Sequence, residues 1–272
     1  MPYALNRGVR IFWDEHGSGP PVLLIMGLSF THEMWYRVLP ALAEHYRVIV
    51  FDNRGVGRSD VPRSSFRIRD MADDAAAVLD AANVDSAQVI GASMGGMIAQ
   101  ELALRCPSRV ESLLLACTSH GGLLARWPRF SRMRRLPTGK GRSRQLSFAP
   151  LLYASSTPRE RILEDIEVQF GRRCTRKGCL NQFASILLWS SFRRLPRISV
   201  PTVVAHGAED CLIPPRNGQV VAARIPGAEF HLIPNAGHML LTDQPELCQR
   251  LMLDFLGRTS HVAAALHRAS AG

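Results

Sequence analysis

Ala87-Gln88-Val89-Ile90-Gly91-Ala92-Ser93-Met94-Gly95-Gly96-Met97-Ile98-Ala99-Gln100-Glu101-Leu102-Ala103-Leu104-Arg105 is the stretch on which the reading of this chain turns. Residues 87 to 90 read as a short strand that ends at a glycine, and residues 95 to 105 as a helix stopped near Pro107. Between them lies Gly91-Ala92-Ser93-Met94-Gly95. A G-x-S-x-G pattern arises by composition in roughly one chain in ten of this length, so alone it decides little. Set between a strand and a helix, it predicts a sharp turn that holds the Ser93 hydroxyl exposed at the strand's end. Glycine is needed at 91 and 95 because a side chain at either would collide with the neighbouring strand and helix.

The same alternation extends outward in both directions. Residues 3 to 15 alternate apolar and polar around Asn6-Arg7-Gly8 and predict an edge hairpin. Pro21 to Gly27 is a continuous apolar run ended by glycine, as expected of a strand covered on both faces. Residues 31 to 45 place Met34, Trp35, Val38, Leu39, Leu42 and His45 at helical spacing behind Thr31 as N-cap. Further strands are expected at 47–51, 111–116, 201–205 and 229–233, with helices at 68–82, 216–225 and 245–256. Strands alternating with helices predict an α/β fold, a mostly parallel sheet with helices on both faces.

Between about 120 and 197 this rhythm breaks. The segment is rich in Arg, Ser and Pro, with a helical piece at 161 to 170 and a mobile loop expected at 134 to 147. It reads as an insertion into a core formed by 1–119 and 198–258, followed by a flexible tail at 259–272, within which Val262 to Leu266 could form a short helix. The insertion carries 17 Lys+Arg against 4 Asp+Glu, leaving 16 against 19 elsewhere, so the net charge of +10 belongs to this one segment. Such a surface suits an anionic partner, such as a phosphorylated acyl carrier, a nucleic acid or a lipid surface, or it is a solvated arginine-rich face. No nucleic-acid motif accompanies it, and no nucleic-acid partner is expected.

A hydrophobic fraction of 46% supports a sizeable core. The start, Met1-Pro2-Tyr3-Ala4, leads into no apolar run, and no window reaches the ~18 apolar residues of a membrane helix, so a cytoplasmic protein is expected. The six cysteines lack the spacing of a disulfide framework, which makes reduced thiols the default. The close pair Cys174 and Cys179 leaves a disulfide or metal reading open.

A serine hydroxyl needs a base within hydrogen-bond reach, and the base needs an acceptor that fixes its tautomer. Candidates lie downstream: His238 in the loop after the strand at 229–233, and Asp210 in the loop after the strand at 201–205. Both loops leave carboxyl ends of parallel strands, where ligands of open α/β sheets bind. Glu209 is the alternative acid, expected to face solvent or bond a backbone N–H. His206 is expected to be buried at its strand end. Acyl transfer also needs donors for the developing oxyanion, and the backbone N–H groups of Met94 and Leu28 are the candidates.

With these residues in place, the chain resembles the α/β-hydrolase superfamily over about residues 10 to 257. The likeness is strongest to its small capped esterases, enol-lactonases, cofactor-free haloperoxidases and C–C bond hydrolases. It rests on Gly91 to Gly96; on Phe51 to Ser59, similar to the D-x-R-G-x-G-x-S turn; on Gly207 to Pro214; and on Ala236-Gly237-His238 before Gln244-Pro245-Glu246. The resemblance implies a Ser93–Asp210–His238 triad and a structural role for Asp52 and Arg54. It also implies a cap at 120–197 whose Trp127, Phe130, Phe183 and Trp189 would line an acyl pocket, unless they are ordinary core. Many members carry His-Gly where this chain has Met26-Gly27, which leaves the bracing of that loop to be found. No metal or cofactor is required. The activity implied is hydrolysis of a carboxylic ester, thioester or lactone through an acyl-serine. A C–C hydrolase or a small-ligand receptor on the same scaffold are the alternatives. A CoA or acyl-carrier-protein substrate would suit the basic insertion.

Overall fold

The computed structural model describes residues 2–128, 141–169 and 175–270, without the side chains of 141–145 and 261–270. Its centre is an eight-stranded sheet: β1 (Tyr3–Asn6), β2 (Val9–His16), β3 (Pro21–Ile25), β4 (Arg47–Phe51), β5 (Ala87–Ala92), β6 (Val110–Ala116), β7 (Thr202–Gly207) and β8 (Glu229–Ile233). The spatial order is β1-β2-β4-β3-β5-β6-β7-β8. The β1–β2 and β2–β4 pairs are antiparallel and every later pair is parallel.

Because successive residues of a strand point to opposite faces, the apolar runs divide between two cores. Leu23, Ile25, Ile49, Phe51 and Val89 face one cluster, and Val22, Leu24, Val48, Val50 and Ile90 face the other. The first is covered by α2 (Ile68–Ala81) and α3 (Met94–Arg105), the second by α1 (Leu39–Ala43) and α9 (Pro245–Ser270). The sequence of α2 explains its place: Ile68, Met71, Ala72, Ala75, Val78 and Leu79 form one buried stripe. The Arg67 N–H donates to Asp70 Oδ2 at 2.8 Å and closes its first turn.

Between β6 and β7 the chain forms α4 (Gly141–Leu152), α5 (Arg159–Gln169) and α6 (Arg176–Leu187); α7 (Arg216–Arg224) follows β7, and the short α8 (Leu240–Asp243) follows β8. Among the described residues, no helix is long and apolar enough to cross a membrane.

Five expectations change. The helix expected over 31–45 is a 3-10 turn at His32–Trp35 followed by α1. Pro40 lacks the N–H that a continuous helix would need and fits only a restarted first turn. Thr31 makes no capping bond; its hydroxyl donates to Glu33 instead. Residues 141–147, expected as loop, form the start of α4, while 134–140 lie outside the described residues.

The tail expected to be flexible continues α9 as helix to Ser270. Thr259 is buried and bonds Gln88 of β5 and Ser112 of β6, and Gln88 reaches Ser260 at 2.7 Å. These polar docking contacts carry no apolar periodicity for a sequence pattern to register. Cys106, Cys117 and Cys248 are free thiols, but Cys179 is disulfide-bonded, against the default of reduced cysteines. Cys174 lies outside the described residues.

Candidate active site

The turn between β5 and α3 is as tight as its glycines suggest. Ser93 has φ 56° and ψ −118°, a backbone conformation that side chains rarely adopt. Its N–H donates to Ala116 O at 2.8 Å and its carbonyl accepts from the Thr118 hydroxyl at 2.7 Å, so the end of β6 holds the strained residue from both sides. A Cβ at Gly91 would stand 2.5 Å from Gly95 O, one at Gly95 only 1.9 Å from Ile25 O, and one at Gly96 2.6 Å from Thr118 Cβ.

Three loops at the carboxyl ends of β5, β7 and β8 meet here. Ser93 Oγ lies 3.0 Å from His238 Nε2, and His238 Nδ1 lies 2.8 Å from Asp210 Oδ2. Asp210 Oδ1 accepts from the N–H groups of Leu212 and Ile213 at 2.9 and 2.8 Å, and His206 Nε2 approaches Oδ2 at 3.3 Å. Burial would raise the Asp210 carboxyl. Attraction to His238 and hydrogen bonds from His206 and His238 outweigh it and hold the group far below the usual carboxylate range. Glu209 turns the other way and accepts from the Ser155 N–H and hydroxyl at 3.0 and 3.1 Å. His206 is fully buried at the end of β7.

Cys117 Sγ, Asp210 and His238 offer ligand atoms within 4.8 Å of one another. Burial, and then the Asp210 charge, push the Cys117 thiol well above its ordinary range, and its Sγ donates to Gly237 O at 3.6 Å. A metal needs the thiolate, and His238 and Asp210 are already engaged with each other and with Ser93. The cluster does not suit a resident cation.

The loop after β3 passes directly over Ser93, since a Cβ at Gly27 would be 3.1 Å from Ser93 Cβ. Leu28 lines the cavity beside Ser93, and Met94 begins α3 immediately after it. The Leu28 and Met94 N–H groups therefore lie in the two segments that frame the Ser93 hydroxyl, one of them at a helix N-terminus where negative charge is favoured. The bracing of the Met26-Gly27 loop comes from two amides. Asn53 Nδ2 donates to Met26 O at 2.8 Å, and Gln182 of α6 accepts from the Ser29 N–H at 2.9 Å while donating to Arg54 O at 3.0 Å. Ser29 itself has φ 68°. Asp52 holds the same loop from below, taking the His32 N–H at 3.0 Å and His32 Nδ1 at 2.7 Å, and Arg54 is buried against Asp74. Sequence reasoning missed Asn53 and Gln182 as braces. Asn53 lay inside a quoted motif, but Gln182 carried no signal, because its partner is 153 residues away.

A cavity of about 660 Å³ opens over Ser93 and His238. Its walls are apolar, with Phe30, Met34, Met97, Phe148 and Leu151 among them, and among the described residues Arg126 is the one Lys, Arg, Asp or Glu of the lining. Trp127 and Phe183 line it, each nearly half-exposed, 44% and 46%. Trp189 does not. It is buried in the core with its indole N–H on Glu101 Oε2 at 2.8 Å, because its polar edge finds an acceptor on α3 rather than the cavity. Phe130 lies outside the described residues.

The family described as alpha/beta hydrolase fold matches residues 20–245, and the chain belongs to it. Among relatives, a protein of Azorhizobium caulinodans named "Putative carbamate hydrolase RutD" is 33% identical over 94% of this chain and 98% of its own. A poly(3-hydroxyalkanoate) depolymerase of Ectopseudomonas oleovorans is 31% identical over 93% of this chain and 89% of its own. Among solved structures, a thermophilic esterase from Thermogutta terrifontis superposes with TM-score 0.81 at 26% identity, covering 94% and 98% of the two chains. The chain is an enzyme of the hydrolase class.

Proposed function

We propose that this hydrolase cleaves carboxylic esters, thioesters or lactones of small to medium-sized apolar acyl groups through an acyl-serine intermediate. The observation that carries the proposal is the relay Ser93 Oγ, His238 Nε2, His238 Nδ1, Asp210 Oδ2, with its two links at 3.0 and 2.8 Å. In this reading His238 takes the Ser93 proton as Oγ attacks the carbonyl carbon, and Asp210 stabilises the imidazolium so formed. The N–H groups of Leu28 and Met94 receive the oxyanion, each such donor being worth about 10²–10³ in rate. His238 then gives its proton to the leaving alkoxide or thiolate. A water, deprotonated by the same nitrogen, attacks the acyl-serine and releases the acid.

The apolar cavity supports an uncharged acyl group of medium size, since burying a carboxylate against such walls would be costly. The segment 120–197 is read as the cap over this cavity, its aromatic residues Trp127 and Phe183 forming part of the acyl site. Its excess of arginine extends the proposal to acyl groups delivered on an anionic carrier, CoA or acyl carrier protein.

The test is steady-state hydrolysis of short and medium p-nitrophenyl esters by the wild type and by Ser93→Ala. Expected is turnover above about one per second for the wild type and a loss of roughly 10³-fold or more in the variant. A wild type that binds esters and turns over once, retaining product, would favour a receptor. Turnover of dienone substrates but not of esters would favour C–C cleavage.

A further inference from the structure

His206, placed at the end of β7 by the sequence and left without a task, sits against the carboxylate that the proposed mechanism uses. Its ring is fully buried. Gly218 of α7 makes the room, for a Cβ there would stand 2.5 Å from His206 Nδ1, and Phe230 of β8 closes the same side. Nε2 lies 2.7 Å from Ile213 O and 3.3 Å from Asp210 Oδ2. Both neighbours are acceptors, so Nε2 must carry the proton. Nδ1 has no partner. The ring is therefore an Nε2–H donor that bonds Ile213 O of the acid loop and stands 3.3 Å from Asp210 Oδ2.

The Asp210 carboxylate is then held by three hydrogen bonds, from Leu212 N and Ile213 N to Oδ1 and from His238 Nδ1 to Oδ2, with His206 Nε2 beside Oδ2 at 3.3 Å. Of the other titratable groups nearby, the Cys117 thiol at the end of β6 is held neutral, and Glu209 points away toward Ser155. Resting on the serine-hydrolase reading above, we infer that His206 is a positioning residue: its Nε2–H holds the Asp210 carboxylate in line with His238 and draws off part of the negative charge that His238 senses.

Two substitutions separate this from plain packing. His206→Gln keeps an N–H near the Nε2 position, and His206→Met fills a similar volume without one. Removing the donor leaves Asp210 more negative toward His238, which favours the imidazolium. For His206→Met the acidic limb of kcat/KM should move to higher pH and kcat should fall about tenfold, the worth of one hydrogen bond of ~1.4 kcal/mol, with KM little changed. His206→Gln should restore the limb and most of kcat. Equal losses in both folded variants with the limb unmoved would overturn the inference, as would a folded His206→Met with wild-type kinetics.

Side-chain ¹⁵N NMR of the wild type tests it without any variant. Expected is an Nε2–H tautomer of His206; an Nδ1–H tautomer cannot donate to Asp210 and would overturn it. Failure of the serine-hydrolase reading is distinguishable, because it appears as turnover that Ser93→Ala leaves intact.

Discussion

Glycine 95 shows how far one residue decides the site. A methyl group there would be driven to 1.9 Å from Ile25 O, which belongs to the rigid end of β3 and cannot yield as a flexible side chain could. Gly95→Ala should therefore cost on the order of 3 kcal/mol or more, read as a fall in the denaturant midpoint. A variant of native stability would mean that the elbow and β3 separate easily. At this scale the sequence was most legible where a residue's reason is local. Gly91, Ser93, Gly95, Asp210 and His238 sit in short motifs at strand ends, and the structure brings their atoms together. Asn53, Gln182 and His206 act through partners fixed only by the folded chain, at separations of 27 and 153 residues for the two amides, or through a ring whose burial hid its polar contact. For Trp189 the sequence leaves cavity wall and ordinary core both open, and its indole N–H on Glu101 goes with the core.

At the level of elements, α3 does two jobs: its first residue follows the nucleophile, and its Glu101 ties the helix to the chain that returns from the insertion. Glu101 accepts from Trp189 Nε1 at 2.8 Å and from Arg194 at 3.1 and 2.8 Å, with its own side chain 6% exposed. Burial alone would raise this carboxyl, but the bonds from Arg194 and Trp189 hold it below its ordinary value. The sign follows from linkage. A carboxyl lowered by folding adds stability that is present above its unfolded value, near 4.5, and is lost as pH falls through its folded value. Glu101→Gln should thus cost about 1–3 kcal/mol at pH 7, and the gap to wild type should close as pH drops below the ordinary Glu range. Thermal melts across pH 3 to 7 read this directly; a gap that stays constant with pH would show that the charge contributes nothing. The strands and long helices were legible from two-faced burial, since period and apolarity report it. The break at Pro40, the helical 141–147 and the helical tail to Ser270 were not: each depends on polar or steric detail that apolar periodicity does not encode.

Across the whole molecule, buried carboxylates tie the segment between β6 and β7, read above as an insertion, to the rest of the chain. Asp165 of α5 accepts from Tyr36 at 2.6 Å, Arg37 at 3.2 Å, Tyr153 at 3.0 Å and Thr242 at 2.6 Å. Burial and Asp165 push both tyrosine hydroxyls far upward, so they remain donors. Asp243 receives the Ala154 N–H at 3.2 Å and the Gly237 N–H at 2.6 Å, joining the insertion to the residue before His238. Some of the insertion's basic residues take part in this seating, as Arg161 does with Glu246 and Arg194 with Glu101. The remaining excess bears on the proposed carrier. Preference for a CoA thioester over a neutral ester of the same acyl group should fall between about 0.05 and 0.5 M salt, as screening shortens the range of exposed charge; a preference indifferent to salt would contradict carrier recruitment. The central claim, that Ser93 is the nucleophile, is tested most directly by intact mass and peptide mapping after a fluorophosphonate. The account predicts one adduct, on the peptide holding Ser93, absent from a folded Ser93→Ala. Folded wild type that gains no adduct, or gains it on another residue, would contradict it.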